Sequence, residues 1–144
     1  MNWKKLMDAL YNGGMGILEV AIACATAGII IGVLNLTGLG LRFSGLLVSF
    51  SGGHLWLLLV LAAAASIILG MGLPAVGVYL ILSVLVAPAL VQLGVPILAA
   101  HFFIFYFGVL SSITPPIALA AYAAAGIVKT NPMKTGMEAT RLAI

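Results

Sequence analysis

The chain has 144 residues, 64% of them hydrophobic and only 6% charged, with a formal net charge of +3 and a mean hydropathy of +1.30. A water-soluble domain carries about a quarter charged residues, whereas no Asp, Glu, Lys or Arg occurs here from Phe43 to Val128. That excludes a soluble fold and predicts an all-α integral membrane protein, whose basic residues read as membrane anchors and not as a nucleic-acid surface.

In chain order, Met1–Asn12 is predicted to form a short amphipathic helix at the membrane interface (residues 1–12). Trp3, Leu6, Met7 and Leu10 share one side, with Lys4, Lys5 and Asp8 on the other. The segment lacks the continuous apolar core of a cleavable signal sequence. Gly13, Gly14 and Gly16 are predicted to let the chain turn. Ile17–Leu36 then has about 20 residues, the length a spanning helix needs. Glu19 near its start reads as a headgroup-level residue or a coupling carboxylate. Ala21, Ala23, Ala25, Ala27 and Gly28 make that helix smooth enough for close packing. Cys24 is the single cysteine, so no internal disulfide is available, and it reads as a small buried side chain.

Thr37–Gly53 is predicted to be a connection holding a short interfacial helix near Leu41–Phe50, with Arg42 its one charge. Ser51-Gly52-Gly53-His54 reads as a turn, with His54 at the interface. Leu55–Leu93 forms two apolar arms around Gly70-Met71-Gly72-Leu73-Pro74. The first arm, Leu55–Leu69, is about 22 Å long at 1.5 Å per residue. That is short of a hydrocarbon core of about 30 Å. Short arms and an apolar glycine tip predict a re-entrant hairpin over 55–93. Two full spans would return the chain to the same side.

Ile97–Leu110 is aromatic, with His101 read as a packing residue among Phe102, Phe103, Phe105, Tyr106 and Phe107. The apolar run 96–128 is broken at Ser111-Ser112-Ile113-Thr114-Pro115-Pro116. Two prolines in succession lack N–H groups and clash with the preceding turn, and Thr114 is pushed out of the helical region. The run resumes as the alanine-rich Ile117–Val128, and 129–144 is predicted to be a cytoplasmic segment with a surface helix. Lys4, Lys5, Lys129, Lys134 and Arg141 then oppose Arg42, which predicts both termini in the cytoplasm.

The chemistry on offer is binding, not catalysis. Asp8, Glu19 and Glu138 lie toward the ends, no serine has a His/Asp arrangement, and no nucleotide-binding loop occurs. No catalytic residue and no organic cofactor is expected. A helix broken at mid-membrane is how secondary transporters bind ions and substrates. Sodium is a hard cation that favours oxygen ligands. Ser111, Ser112 and Thr114 offer hydroxyls, and carbonyls freed by Pro115 and Pro116 offer more. Gly70 and Gly72 let a backbone come close to a ligand or a facing helix. An anionic substrate would be drawn to N–H groups after Pro74 or after Pro116. The plainer reading of the hydroxyls is that they cap helix ends.

These motifs resemble a known family. Gly70-Met71-Gly72-Leu73-Pro74, Ala87-Pro88-Ala89-Leu90, and Ala100-His101-Phe102-Phe103-Ile104-Phe105-Tyr106-Phe107-Gly108 running into Ser112-Ile113-Thr114-Pro115-Pro116 are similar to the large membrane subunit of tripartite ATP-independent periplasmic (TRAP) transporters. Leu36-Thr37-Gly38-Leu39 fits as well. Within that family the chain looks most like the fused permease of the TAXI type. The resemblance implies an elevator-type, inverted-repeat importer coupled to Na+, with ion and substrate sites on the hairpin and the discontinuous helix. Carried over by position, Ser111, Ser112, Thr114, Gly70 and Gly72 are ion-site candidates. Met71, Pro74, Pro115 and Pro116 are substrate-site candidates. It implies as partners an extracytoplasmic solute receptor, the remaining permease half, small-subunit helices and the bilayer. Pro74 stands where dicarboxylate-type large subunits usually carry an acidic residue, so their substrate range does not transfer. Fused permeases are several times longer, so the chain is expected to be most of a second repeat, as a fragment or a split subunit. A non-transporting assembly subunit, and a different sodium-coupled carrier of the same architecture, are the alternatives.

Overall fold

The computed structural model describes residues 3–143, and every regular element among them is an α-helix. The chain opens with α1 (Trp3–Thr37), α2 (Leu39–Phe50) and α3 (Leu55–Gly70). It continues through α4 (Ala75–Leu85), α5 (Ala87–Gln92) and α6 (Ile97–Leu110), then closes with α7 (Leu119–Val128) and α8 (Pro132–Ala143).

The N-terminal segment differs from the sequence expectation. No turn separates an interfacial helix 1–12 from a span 17–36; one helix of 35 residues runs through both. Gly13, Gly14 and Gly16 are helical, and a β-carbon on any of them would meet nothing within 4 Å. A helical glycine costs about 1 kcal/mol against alanine. α1 is the one helix among the described residues long and apolar enough to cross a membrane. It docks on α4 and α2 through a narrow strip that includes buried Ala27. Ile17, Leu18, Ile22, Ile29, Val33 and Leu36 face outward. The side chain of Glu19 lies outside the described residues.

The core is built by α3, α4 and α6. In α3 the buried residues Leu58, Ala62, Ser66 and Gly70 recur every four positions and form one stripe. In α6 the corresponding stripe is Ala100, Ile104 and Gly108. The two helices pack together, and α4 packs on α6 and α1. Small residues permit close approach. A β-carbon at Gly108 would stand 2.8 Å from Val78 Cγ1 and 3.1 Å from Leu82 Cδ1. Leu58, Val78, Leu82, Val86, Leu90 and Ile104 fill the interior. Ser66 is fully buried, and its hydroxyl has no hydrogen-bond partner among the described residues.

The second hairpin arm is not one helix. It divides at Val86 into α4 and α5, two residues before Pro88. Pro88 has no N–H to offer the Val84 carbonyl, and α2 covers the gap. Gly40 approaches so closely that a β-carbon would sit 3.0 Å from Val84 Cγ1 and 3.4 Å from the Val84 carbonyl oxygen. Ser44, buried one turn later, donates its hydroxyl to the Leu85 carbonyl at 2.8 Å. The short helix expected near Leu41–Phe50 is therefore present as α2, and its role is to support this kink.

Candidate functional site

Two segments that fall between the α-helices meet on one side of the core. The first is the hairpin tip. Gly70 closes α3, and the Leu73 N–H donates to the Gly70 carbonyl at 3.3 Å. Met71 has φ −61° and ψ 124°, and Gly72 has φ +82°. These are the angles of a type II turn, whose third residue needs the left-handed φ that glycine adopts freely. Pro74, extended at φ −63° and ψ 146°, then starts α4. Among the described residues the N–H groups of Ala75, Val76 and Gly77 find no acceptor, as expected of a first helical turn without a capping side chain.

The second segment is the break after α6, which spans 111–118. Pro115-Pro116 is joined by a cis peptide bond. Each hydroxyl ahead of it turns back on the helix it ends. Ser111 Oγ donates to the Gly108 carbonyl at 2.6 Å, Ser112 Oγ to Val109 at 2.7 Å, and Thr114 Oγ1 to Leu110 at 2.8 Å. The three side chains thus cap the carbonyl end of α6. A hydroxyl has one proton and two lone pairs, so each oxygen keeps acceptor capacity after donating.

The break's own carbonyls are mostly taken. Ser112 accepts from the Ala120 N–H at 3.0 Å, Ile113 from Thr140 Oγ1 at 3.0 Å, and Pro116 from Tyr122 Oη at 2.7 Å. Among the described residues the Thr114 and Pro115 carbonyls accept no hydrogen bond. Both residues are half-buried.

Tip and break touch directly. A β-carbon at Gly70 would lie 2.5 Å from Ser111 Oγ and 3.0 Å from Ser111 Cβ, and one at Gly72 would lie 3.5 Å from Ile117 Cγ2. The family of the tripartite ATP-independent periplasmic transporter, DctM component, matches over residues 1–143. The chain belongs to this family. DctM proteins are membrane permease components of TRAP transporters and not enzymes, so membrane location and a role in transport follow for this chain, as do partner subunits and a solute receptor in general. No curated protein and no solved structure matches it.

The residues singled out by sequence in this DctM chain divide into three groups. Gly70, Gly72 and Ser111 form the tip–break contact, with Ser111 fully buried. Ser112 and Thr114 follow Ser111 in the chain, half-buried. Ser112 also edges an apolar groove of about 460 Å³ with Phe102, Phe105, Tyr106 and Val109. Pro74 faces elsewhere, lining a smaller groove against Thr26, Ala27 and Ile30 of α1. Met71 is half-buried at the second position of the turn, and Pro116 is exposed. Pro115 packs toward α8, its Cγ 3.2 Å from where a Gly136 β-carbon would be. α7 begins two residues later than the expected Ile117, because the Ala120 N–H reaches back to Ser112.

Sequence reasoning missed Tyr122, Gly136 and Thr140, which hold the break from outside. A spacing of four between Gly136 and Thr140 marks one helix face, but nothing local says what that face meets. It also left Tyr79 unremarked: its Oη lies 3.0 Å from His101 Nδ1, joining α4 to α6 at the rim of an aromatic groove.

Proposed function

We propose that the chain is the permease component of a sodium-coupled, binding-protein-dependent secondary transporter that imports a small organic solute bearing a carboxylate. The observation that carries this reading is the Gly70–Ser111 contact, which sets a glycine-built turn against a proline-broken helix end. Next after Ser111 in the chain come the hydroxyl oxygens of Ser112 and Thr114 and the unbonded carbonyls of Thr114 and Pro115. Such a set of neutral oxygens suits a hard monovalent cation. Ser111 and Gly70 fix the distance between the two segments, and Gly72 sets the turn. Met71, Pro74, Pro115 and Pro116 are the substrate-side candidates of this reading, with the N–H groups that follow Pro74 offering the positive end of α4 to an anion.

On this reading the hairpin over 55–93 is re-entrant and the chain forms one repeat of an inverted-repeat elevator. The likeness of the motifs at Gly70–Pro74 and Ala100–Gly108 to the TAXI-type fused permease supports reading it as that type in the cytoplasmic membrane, and the basic residues near the ends support cytoplasmic termini. The outward apolar face of α1 suits lipid and the remaining permease helices.

The test is solute uptake into proteoliposomes holding the chain, the other permease half and the receptor, measured against sodium concentration. A Thr114→Val, Ser112→Ala variant should need about tenfold more sodium for half-maximal uptake, as loss of liganding oxygens would cause. An unchanged sodium curve in that variant would mean that these hydroxyls only cap α6, and the ion-site assignment would be lost.

A further inference from the structure

The strongest unassigned feature is the way α8 grips the break. α8 carries Gly136 and Thr140 on one face. Gly136 is buried, and a β-carbon there would lie 3.2 Å from Pro115 Cγ and 3.3 Å from both Ala118 Cβ and Tyr122 Cε1. One turn later Thr140 Oγ1 stands 3.0 Å from the Ile113 carbonyl and 2.9 Å from the Gly136 carbonyl, so one proton is shared between them. At the end of the helix the Ala143 carbonyl accepts from Tyr106 Oη of α6 at 3.2 Å. α8 therefore ties together α6, the break and the start of α7, which the prolines would otherwise leave joined only through 111–118.

We propose that α8 is the fixture that decides which oxygens of the break remain available, with Thr140 as a positioning residue for the ion. The inference rests on the reading of the break as an ion site. The Ile113, Thr114, Pro115 and Pro116 carbonyls succeed one another along the break, beyond the last turns that close α6. Thr140 holds the first, Tyr122 the last, and the two between are left open. Contact of Gly136 with Pro115 fixes the ring of the residue whose carbonyl is open. Releasing Ile113 would allow its carbonyl to rotate and the adjoining peptide to follow. The cation would then meet the same atoms in a different arrangement.

The experiment compares Thr140→Val, Thr140→Ser and Gly136→Ala with wild type in the assembled permease and receptor, reading sodium half-saturation and maximal uptake separately. Thr140→Val keeps the shape and loses the donor; it should raise half-saturating sodium about three- to tenfold. Thr140→Ser keeps the donor and should lie within about twofold of wild type. A purely structural role would lower maximal uptake by reducing the amount of folded permease and leave half-saturation where it was; that result overturns the proposal. If Thr140→Val does not accumulate, Gly136→Ala tests the same fixture by pushing α8 off Pro115. An unchanged sodium curve there is equally fatal. Thr114→Val, Ser112→Ala serves as the control for the underlying reading. A shift in that control without one in the α8 variants removes only the role of α8, while no shift in either removes both.

Discussion

Gly70 and Ser111 are in contact with no room for another atom between them: an added β-carbon at Gly70 would come within 2.5 Å of the Ser111 hydroxyl oxygen. The seryl side chain cannot swing aside cheaply, because it is buried and bonded to the Gly108 carbonyl. Gly70→Ala should therefore destabilise the purified permease by about 1–3 kcal/mol, as overpacking does, and abolish most uptake. Ser111→Gly in the same chain removes two of the three obstructing atoms, leaving Val78 Cγ1 at 3.0 Å, and should recover part of the thermal stability. If Gly70→Ala melts like wild type, the tip does not rest on the break.

Gly72 has a different reason to be glycine. Its φ of +82° is the constraint, since its nearest obstruction would be Ile117 at an ordinary 3.5 Å. Gly72→Ala should cost about 1 kcal/mol or more, as β-carbons do at positive φ. Gly72→Asn should cost less, because asparagine tolerates that region of a type II turn. Equal melting temperatures for the two variants would argue against the turn as described.

At the Pro88 kink, Ser44→Ala removes the one donor that reaches the Leu85 carbonyl from α2. Leaving that buried acceptor unpaired should lower stability by about 1–3 kcal/mol. Sodium half-saturation should stay where it is, since the kink is far along α4 from the tip. A shift in sodium dependence without a loss of stability would contradict this assignment.

The continuity of α1 is testable with Gly13→Ala, Gly14→Ala, Gly16→Ala. In an unbroken helix with open space at all three sites, the substitutions should stabilise by up to about 1 kcal/mol each and raise helical circular dichroism. A turn at these glycines would make the triple variant less stable and poorly inserted.

Much of the local structure was legible in the sequence because prolines and glycines act over a few residues. Pro115-Pro116 marked the end of α6, and Gly70–Pro74 marked the turn between α3 and α4. The same residues misled where context overrides propensity. Gly13, Gly14 and Gly16 permit a turn without requiring one. Pro88 was visible in the second arm, but the division at Val86 needed α2 beside it to become stable. Least legible was what lies across from what. The partnership of Gly70 with Ser111, and of Thr140 with Ile113, joins positions far apart in the chain and leaves no periodic trace.

The contacts at Gly40, Gly70, Gly108 and Gly136 are all made where a side chain is missing. Alanine scanning ordinarily locates a site by subtraction, each methyl standing for what was cut away. Here the arithmetic runs in reverse, because alanine adds matter at each of these positions. A loss of transport in such a scan would measure how closely a bare backbone must pass its neighbour's side chains, and a survey reading it as lost recognition would draw the substrate site in the wrong place.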